Sequence, residues 1–158
     1  MLIALSGTPG TGKTAVAKVL AKKLTWRLIE LNKLAEKNSF FCGYDKERKT
    51  KIADVGKIKK RVTEIAKKEK NLIIESHYAH EIPSDVTIIL RCDMSELKKR
   101  MEKKGWRKEK IKENLQAEIF QVCGEEARQL KRKVVEVDTT GKSPTQVAEE
   151  IVQLLKKI

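Results

Sequence analysis

Residues 2–14 read Leu2-Ile3-Ala4-Leu5-Ser6-Gly7-Thr8-Pro9-Gly10-Thr11-Gly12-Lys13-Thr14. The apolar run Leu2–Leu5 predicts a buried strand, and a helical pattern of apolar residues follows from Lys13 to Leu24. Between them, Gly7–Thr14 matches GxxxxGK[ST], whose glycines let backbone N–H groups wrap around phosphate oxygens at a helix N-terminus. The alternative is a chance match or a loop that binds nothing. Because the motif stands between a strand and a helix, as phosphate binding requires, it predicts a nucleotide-binding loop.

The composition narrows the class of protein. The chain has 158 residues, of which 40% are hydrophobic and 36% charged. This length suits one domain, which we expect to span residues 1–158. No apolar run approaches the roughly 20 residues of a membrane span, so we expect no membrane partner. The three cysteines form no CxxC pair, so neither a disulfide scaffold nor a zinc ribbon is expected and a cytoplasmic location is predicted.

The rest of the chain alternates strand and helix patterns. Further strands are predicted at Arg27–Leu31, Leu72–Ile74, Val86–Leu90 and Val134–Val137. Helices are predicted through Ala35, after the cap Asp54, from Met94 to Gly105, as one long helix over Ile111–Val122, and from Ser143-Pro144 onward. Five strands with intervening helices indicate an α/β fold with a five-stranded parallel sheet flanked by helices.

The segment Asn38–Thr50 lacks clear periodicity and is predicted as a loop. It contains three aromatic residues, Phe40, Phe41 and Tyr44. Their rings either flank the base of an acceptor nucleotide or cover the loop, and the sequence leaves both readings open.

The third strand ends in an acidic residue, where ligands of such sheets bind. Glu75 follows Leu72–Ile74, and His77 comes two residues later. A carboxylate in this place orders Mg²⁺ and its waters, and an imidazole can position water or phosphate or transfer a proton. The alternative is that Glu75 caps the strand and His77 is an ordinary polar loop residue. We interpret Glu75 and His77 as candidate catalytic residues beside Lys13, which reaches the β- and γ-phosphates, and Thr14, which binds Mg²⁺.

Cations for the transferring phosphoryl group are predicted after the fourth strand. Arg91 follows that strand directly, and four further cations surround Gly105: Arg100, Lys103, Lys104 and Arg107. A basic helix–glycine–helix segment suggests a lid that closes over phosphates and excludes water. The alternative is that these side chains are solvated partners of neighbouring glutamates.

The net charge of +13 is concentrated in two segments. Lys46–Lys70 holds 11 basic and 4 acidic residues, and Lys98–Lys112 holds 9 basic and 2 acidic residues, so each has a net charge of +7. Such segments either meet an anion, namely nucleotide or nucleic acid, or form a solvated lysine-rich surface.

Several motifs together resemble one family. Besides Gly7–Thr14, they are Gly43-Tyr44-Asp45, Glu75-Ser76-His77, Arg100–Trp106 and the run Asn114-Leu115-Gln116-Ala117-Glu118-Ile119-Phe120-Gln121-Val122. They are similar to the adenylate kinase isoenzyme 6 family, the small adenylate kinases and ATPases of archaea and the eukaryotic nucleus that serve small-subunit ribosome maturation. The resemblance covers essentially the whole chain. Many NTPases share the first motif, whereas the run Asn114–Val122 is far more particular.

The resemblance implies a P-loop fold of the nucleoside-monophosphate-kinase type. It implies the reaction ATP + AMP ⇌ 2 ADP with Mg²⁺, alongside ATP hydrolysis. An NMP-binding region is implied at residues 30–53 and a lid at residues 103–113. The implied partners are a small-subunit ribosomal protein and nearby rRNA, with a part in 16S rRNA processing.

The implied ATP contacts come from Gly10, Gly12, Lys13, Thr14 and Ala15. Three positions depart from the family pattern. Glu75 replaces an aspartate, and its extra methylene favours contact with Mg²⁺ through water. Lys104 replaces a lid arginine and loses the bidentate fork, and Ala15 offers only its backbone N–H.

These observations leave three functions open. The first is an adenylate kinase with ATPase activity, in which Lys13, Glu75, His77 and Arg100 are catalytic and Arg91, Lys104 and Arg107 contact phosphates. The second is a nucleotide-gated ribosome assembly factor with little kinase activity. The third is a P-loop kinase for another small acceptor, such as CMP.

Overall fold

The computed structural model describes residues 1–158. In chain order its elements are β1 (Leu2–Gly7), α1 (Lys13–Leu24), β2 (Arg27–Glu30), α2 (Leu31–Asn38), β3 (Phe41–Asp45), β4 (Thr50–Ala53), α3 (Val55–Ala66), β5 (Leu72–Glu75), β6 (Val86–Arg91), α4 (Met94–Lys103), α5 (Lys108–Ile119), α6 (Val122–Gln129), β7 (Val134–Asp138) and α7 (Pro144–Leu155). A single 3₁₀ turn lies at Ala79–Glu81. No helix combines the length and apolarity needed to cross a membrane.

The predicted five-stranded parallel sheet is confirmed, in the order β2-β5-β1-β6-β7. The register pairs Leu5 with Glu75 and Gly7 with Leu90, so the end of the central strand lies between the ends of β5 and β6. Consecutive strand residues point to opposite faces, and both faces are covered. Ile3 and Leu5 pack in one apolar core with α1 and α7, whereas Ala4 packs in a second core with α2 and α3. Two-sided burial explains why these strands are apolar runs rather than alternations.

The helix boundaries follow from local caps. The Asp54 side chain accepts a hydrogen bond from the Lys57 backbone N–H, as predicted for the start of α3. Ser143 and Gln146 form a capping box at α7, with Pro144 in its first turn. The predicted end of α4 before Gly105 is also confirmed, because Gly105 adopts a left-handed φ of 71°.

The prediction of a loop over Asn38–Thr50 is wrong, because this segment takes part in an antiparallel hairpin. Strands β3 and β4 pair with each other and not with the main sheet. The register shifts between Phe41 and Gly43, and most hairpin side chains are exposed. A strand pair with no fully buried face and a bulge lacks the period-two signal on which sequence interpretation depends.

The prediction of one long helix over Ile111–Val122 is also wrong. The helix is interrupted between α5 and α6, where Gln121 adopts a left-handed φ of 52°. Ile119, which the apolar spacing placed on the buried stripe, is 59% exposed, while the preceding Glu118 is 3% exposed. A buried carboxylate takes the place of the expected apolar residue, because Arg91 of β6 forms an ion pair with it and Thr8 donates a hydrogen bond to it.

Candidate functional site

The Gly7–Thr14 loop connects β1 to α1 in a conformation that depends on its glycines. Gly10 and Gly12 have φ values of 97° and 91°, and Gly12 occupies the N-cap of α1. Residues other than glycine rarely adopt this backbone conformation. The loop is closed on itself, because Thr11 donates from its backbone N–H and its hydroxyl to the Thr8 carbonyl. Backbone N–H groups at a helix N-terminus preceded by such a loop form an anion site.

Lys13 lies across this loop rather than in solvent. Its side chain is buried, and its Nζ donates to the Thr8 carbonyl at 3.1 Å. Desolvation lowers the pKa of Lys13 to about 8, although the Glu75 carboxylate acts in the opposite direction. The ammonium is thus held by a neutral carbonyl, which a phosphate oxygen can replace as a stronger partner.

Glu75 and Thr14 meet at the start of α1. The Thr14 hydroxyl donates to Glu75 Oε2 at 3.3 Å, and Glu75 is 7% exposed. Burial raises the pKa of Glu75, while Lys13 and Thr14 partly offset this rise. A carboxylate and a hydroxyl are the oxygen donors that Mg²⁺ prefers, so this pair fits a magnesium bound with nucleotide phosphates. No set of three or more His, Cys, Asp or Glu residues forms a metal cage by itself.

His77 follows Glu75 at the same edge of the sheet. Its backbone carbonyl accepts from Ser6 Oγ at 3.1 Å, and its ring meets Tyr78 edge-to-face with centroids 5.0 Å apart. Desolvation of the ring, followed by the Lys13 ammonium, lowers the pKa of His77 to about 4. The imidazole is therefore neutral at pH 7, which allows it to accept a proton or orient a water.

Of the five predicted cations, two are held by contacts with other side chains and backbone, and three, Lys103, Lys104 and Arg107, are exposed. Arg100 lies under the loop and donates to the Thr11 carbonyl at 3.3 Å and the Thr139 carbonyl at 2.9 Å. Arg91 is paired with the buried Glu118. Lys104 and Arg107 are both exposed on either side of Gly105. Lys104 lies close enough to Lys13 for its charge to lower the pKa of that lysine.

Ala15 occupies the first turn of α1 and is exposed, so its backbone N–H is the group it offers to a ligand. The sheet edge thus brings together Lys13, Thr14, Glu75 and His77. Arg100 holds the phosphate loop through its hydrogen bond to the Thr11 carbonyl.

Comparisons with known proteins identify the family of this chain. Residues 3–121 match the family model described as "AAA domain". A Methanocaldococcus jannaschii protein named "Putative adenylate kinase" is 37% identical over 99% of this chain and 86% of its own length. A protein of the same name from Methanosarcina barkeri is 41% identical, over 100% of this chain and 87% of its own. The chain belongs to this adenylate kinase-like family.

Solved structures support the fold of this adenylate kinase-like protein. Deoxyadenosine kinase from M. mycoides, determined with its products dCMP and dCDP, superposes with a TM-score of 0.63 at 18% identity and full coverage of both chains. A gluconokinase from Sinorhizobium meliloti gives a TM-score of 0.61 at 16% identity, covering 98% of this chain and 91% of its own. At these identities the likeness concerns the fold alone.

A cleft of about 1450 Å³ extends from the phosphate loop of the adenylate kinase-like domain. Its walls are Thr8, Pro9 and His77 at the loop, α2 and the hairpin on one side, and α5 on the other. Arg48 at the hairpin tip pairs with Asp45 and with Glu113 of α5, which bridges the mouth of the cleft. Phe41 and Tyr44 line the cleft. Phe40 and Phe41 both pack against the α2–α3 core, and Phe40 does not line the cleft.

Sequence interpretation missed a buried polar chain beside the site. Ser6 Oγ and His80 Nδ1 are 2.8 Å apart, and His80 Nε2 lies 2.8 Å from Glu126 Oε2. Ser6 and His80 are almost completely buried. These hydrogen-bonded side chains join the end of β1, the segment after β5 and helix α6. They fix the backbone that carries His77. No spacing in the sequence indicates it, because its members are 46 and 74 residues apart.

Proposed function

We propose that this protein is an adenylate kinase that catalyses ATP + AMP ⇌ 2 ADP and also hydrolyses ATP. The observation that carries the proposal is the junction of the phosphate loop with a cleft of about 1450 Å³. Single-ligand pockets typically measure roughly 300–1,000 Å³, so this cleft has room for an acceptor nucleotide beside the loop that would hold ATP. The archaeal relatives named "Putative adenylate kinase" support the choice of acceptor.

The residues of the site have distinct tasks under this proposal. The N–H groups of Gly10, Gly12 and Ala15 hold the ATP phosphates, and Lys13 exchanges the Thr8 carbonyl for phosphate oxygen. Thr14 would hold Mg²⁺ directly and Glu75 through water, and the ion would neutralise charge on the phosphate oxygens.

The remaining side chains act on the transferring group and its acceptor. His77, neutral at pH 7, orients the attacking group. Lys104 and Arg107 supply mobile cations from the lid, while Arg100 carries positive charge beneath the loop. Arg91 contributes from the end of β6, within its pair with Glu118.

Two moving parts are proposed on opposite sides of the cleft. Residues 30–53, comprising α2 and the hairpin, form the NMP-binding region, and residues 103–113 form the lid. The bridge between Arg48 and Glu113 joins these two parts. Both partners are exposed, so the bridge adds little stability and opens readily when substrate enters.

The test is phosphate transfer from γ-labelled ATP to each of AMP, CMP, GMP and UMP. We expect labelled ADP with AMP, and loss of transfer and hydrolysis in Lys13→Ala. Lys22→Ala, which removes an exposed lysine of the same helix, is the matched control. Transfer to CMP alone would favour the kinase for another acceptor. Full activity of Lys13→Ala would reject the mechanism.

A second proposal is the part in small-subunit ribosome maturation that the family resemblance implies. The observation in its favour is the pair of basic segments, each with net charge +7, that supply more cations than a nucleotide cleft needs. It predicts that a small-subunit ribosomal protein or rRNA fragment accelerates ATP hydrolysis. Hydrolysis that is unchanged by small-subunit components would count against it. Slow AMP phosphorylation with strong stimulation would instead favour the nucleotide-gated assembly factor.

A further inference from the structure

Glu118 is a buried carboxylate that contacts both the phosphate loop and the end of β6. Its Oε2 accepts from Thr8 Oγ1 at 2.6 Å, and its Oε1 accepts from Arg91 Nε at 2.5 Å and the Cys92 backbone N–H at 3.3 Å. The side chain is 3% exposed. A carboxylate buried to this degree needs charged or hydrogen-bonding partners, and both of its oxygens have them.

Thr8 connects this carboxylate to the P-loop lysine. The Thr8 hydroxyl is held by Glu118, while the Thr8 carbonyl accepts from Lys13 Nζ at 3.1 Å and from Thr11 Oγ1 at 2.8 Å. A displacement of Thr8 would therefore move the acceptor that positions the Lys13 ammonium.

Glu118 also fixes one end of the helix that carries the proposed lid. Helix α5 lies between two left-handed residues, Gly105 with φ 71° and Gln121 with φ 52°. Glu118 lies in the last turn, roughly 15 Å along the helix axis from Lys108 at 1.5 Å per residue. The anchored end thus touches the phosphate loop, while the lid residues are at the opposite end.

We propose that Glu118 is a positioning residue of the phosphate site, which orients Lys13 through Thr8 and anchors the base of the lid helix on the loop. This inference rests on the proposed binding of ATP at the loop.

The principal test uses Thr8, because its substitution leaves every charge in place. Thr8→Val removes the hydroxyl at nearly constant volume, and Thr8→Ser keeps the hydroxyl. We expect Thr8→Val to weaken binding of a non-hydrolysable ATP analogue about tenfold, the effect typical of losing a hydrogen bond to a charged group, and Thr8→Ser to bind like the wild type. The KM for AMP should not change, because the acceptor lies on the far side of the cleft.

Glu118→Gln provides the second test, with Glu125→Gln, an exposed residue of α6, as its control. We expect about tenfold weaker binding of the same analogue, because the carboxylate that holds the Thr8 hydroxyl and Arg91 is lost. The double variant with Thr8→Val should bind no more weakly than the weaker single variant, since both changes break one connection.

The outcomes separate this inference from the proposed function. A wild type that binds no ATP analogue rejects the proposed function. A wild type that binds, with Thr8→Val and Glu118→Gln binding equally well, rejects only the positioning role. Tighter binding by Glu118→Gln also overturns it, since the carboxylate would then act as a repulsive charge. If Glu118→Gln fails to fold in thermal unfolding, the comparison of Thr8→Val with Thr8→Ser still decides.

Discussion

Lys13 is a buried cation, so its replacement should make the protein more stable while removing its activity. Lys13→Met keeps an unbranched side chain of similar length and removes the charge. The substitution leaves no unsatisfied acceptor, because the Thr8 carbonyl keeps its hydrogen bonds from the backbone N–H and the hydroxyl of Thr11. The variant should therefore gain most of the free energy that the wild type loses by desolvating the ammonium.

The magnitude follows from the pKa of Lys13, which falls from 10.5 to about 8 on folding. Each pH unit between the two values corresponds to about 1.4 kcal/mol, so the buried ammonium costs about 3 kcal/mol below pH 8. The unfolded chain keeps this proton up to pH 10.5 and the folded chain loses it near pH 8. Between these values the unfolded chain binds more protons, so the cost disappears as the pH rises.

Urea denaturation at pH 7 and at pH 10.5 measures this effect. We expect the free energy of unfolding of Lys13→Met to exceed that of the wild type by about 3 kcal/mol at pH 7, or by roughly 6–12 °C in melting temperature, and to match it at the higher pH. Lys22→Met, at an exposed position of the same helix, should change stability by less than about 0.5 kcal/mol at either pH. A Lys13→Met variant no more stable than the wild type at pH 7 would refute the reasoning, as would a gain that persists at pH 10.5.

Three further predictions concern the loop and its surroundings. The Kd of an ATP analogue should rise about tenfold from pH 7 to pH 9 in calorimetry, because Lys13 loses its proton near pH 8; a flat profile would contradict this. Gly7→Ala should lower the free energy of unfolding by more than about 3 kcal/mol, since its Cβ would lie 2.6 Å from the Leu90 carbonyl. Gly105→Ala, also at positive φ but in open surroundings, should cost about 1 kcal/mol, and equal losses would exclude the clash. His80→Leu should cost about 1–3 kcal/mol in urea denaturation, because a buried hydrogen-bonded ring is replaced by an apolar side chain.

The parallel sheet could be predicted because its signal is local and strong. Strands covered on both faces appear as apolar runs, and Leu72–Ile74 and Val86–Leu90 each lie within one residue of the strand that forms. The caps Asp54 and Ser143 were predictable for the same reason, since each bonds to a backbone group three residues away.

The hairpin and the break after α5 depend on tertiary structure. The hairpin has no fully buried face, and its bulge interrupts any alternation, so its residues resemble those of a loop. The break at Gln121 places Glu118 inward, which contradicts the apolar spacing of the segment. Only the presence of Arg91 and Thr8, at least 27 residues away, makes that burial favourable.

In the candidate site too, residues with a local sequence signal could be predicted, and contacts made only in the folded chain could not. Motif spacing places Lys13 and Thr14, and strand-end position places Glu75, so their convergence could be predicted. The supporting contacts could not, because they join segments distant in sequence. Arg100 illustrates this: the sequence suggested a mobile lid cation, whereas the folded chain uses it to hold the loop backbone.

The two basic segments, Lys46–Lys70 and Lys98–Lys112, contain more cations than a nucleotide cleft requires. Of their 20 cations, five pair with carboxylates, namely Arg48, Lys57, Arg61, Lys98 and Arg100. Four others line the cleft: Lys49, Lys51, Arg107 and Lys110. The remaining 11 do neither, so the phosphates of two nucleotides do not account for them. A polyanion partner and a solvated lysine-rich surface are the two explanations left, and they differ physically. Contacts with RNA phosphates release counterions, so the logarithm of the binding constant falls linearly with the logarithm of salt concentration, whereas solvated lysines that contact no phosphate confer no such dependence.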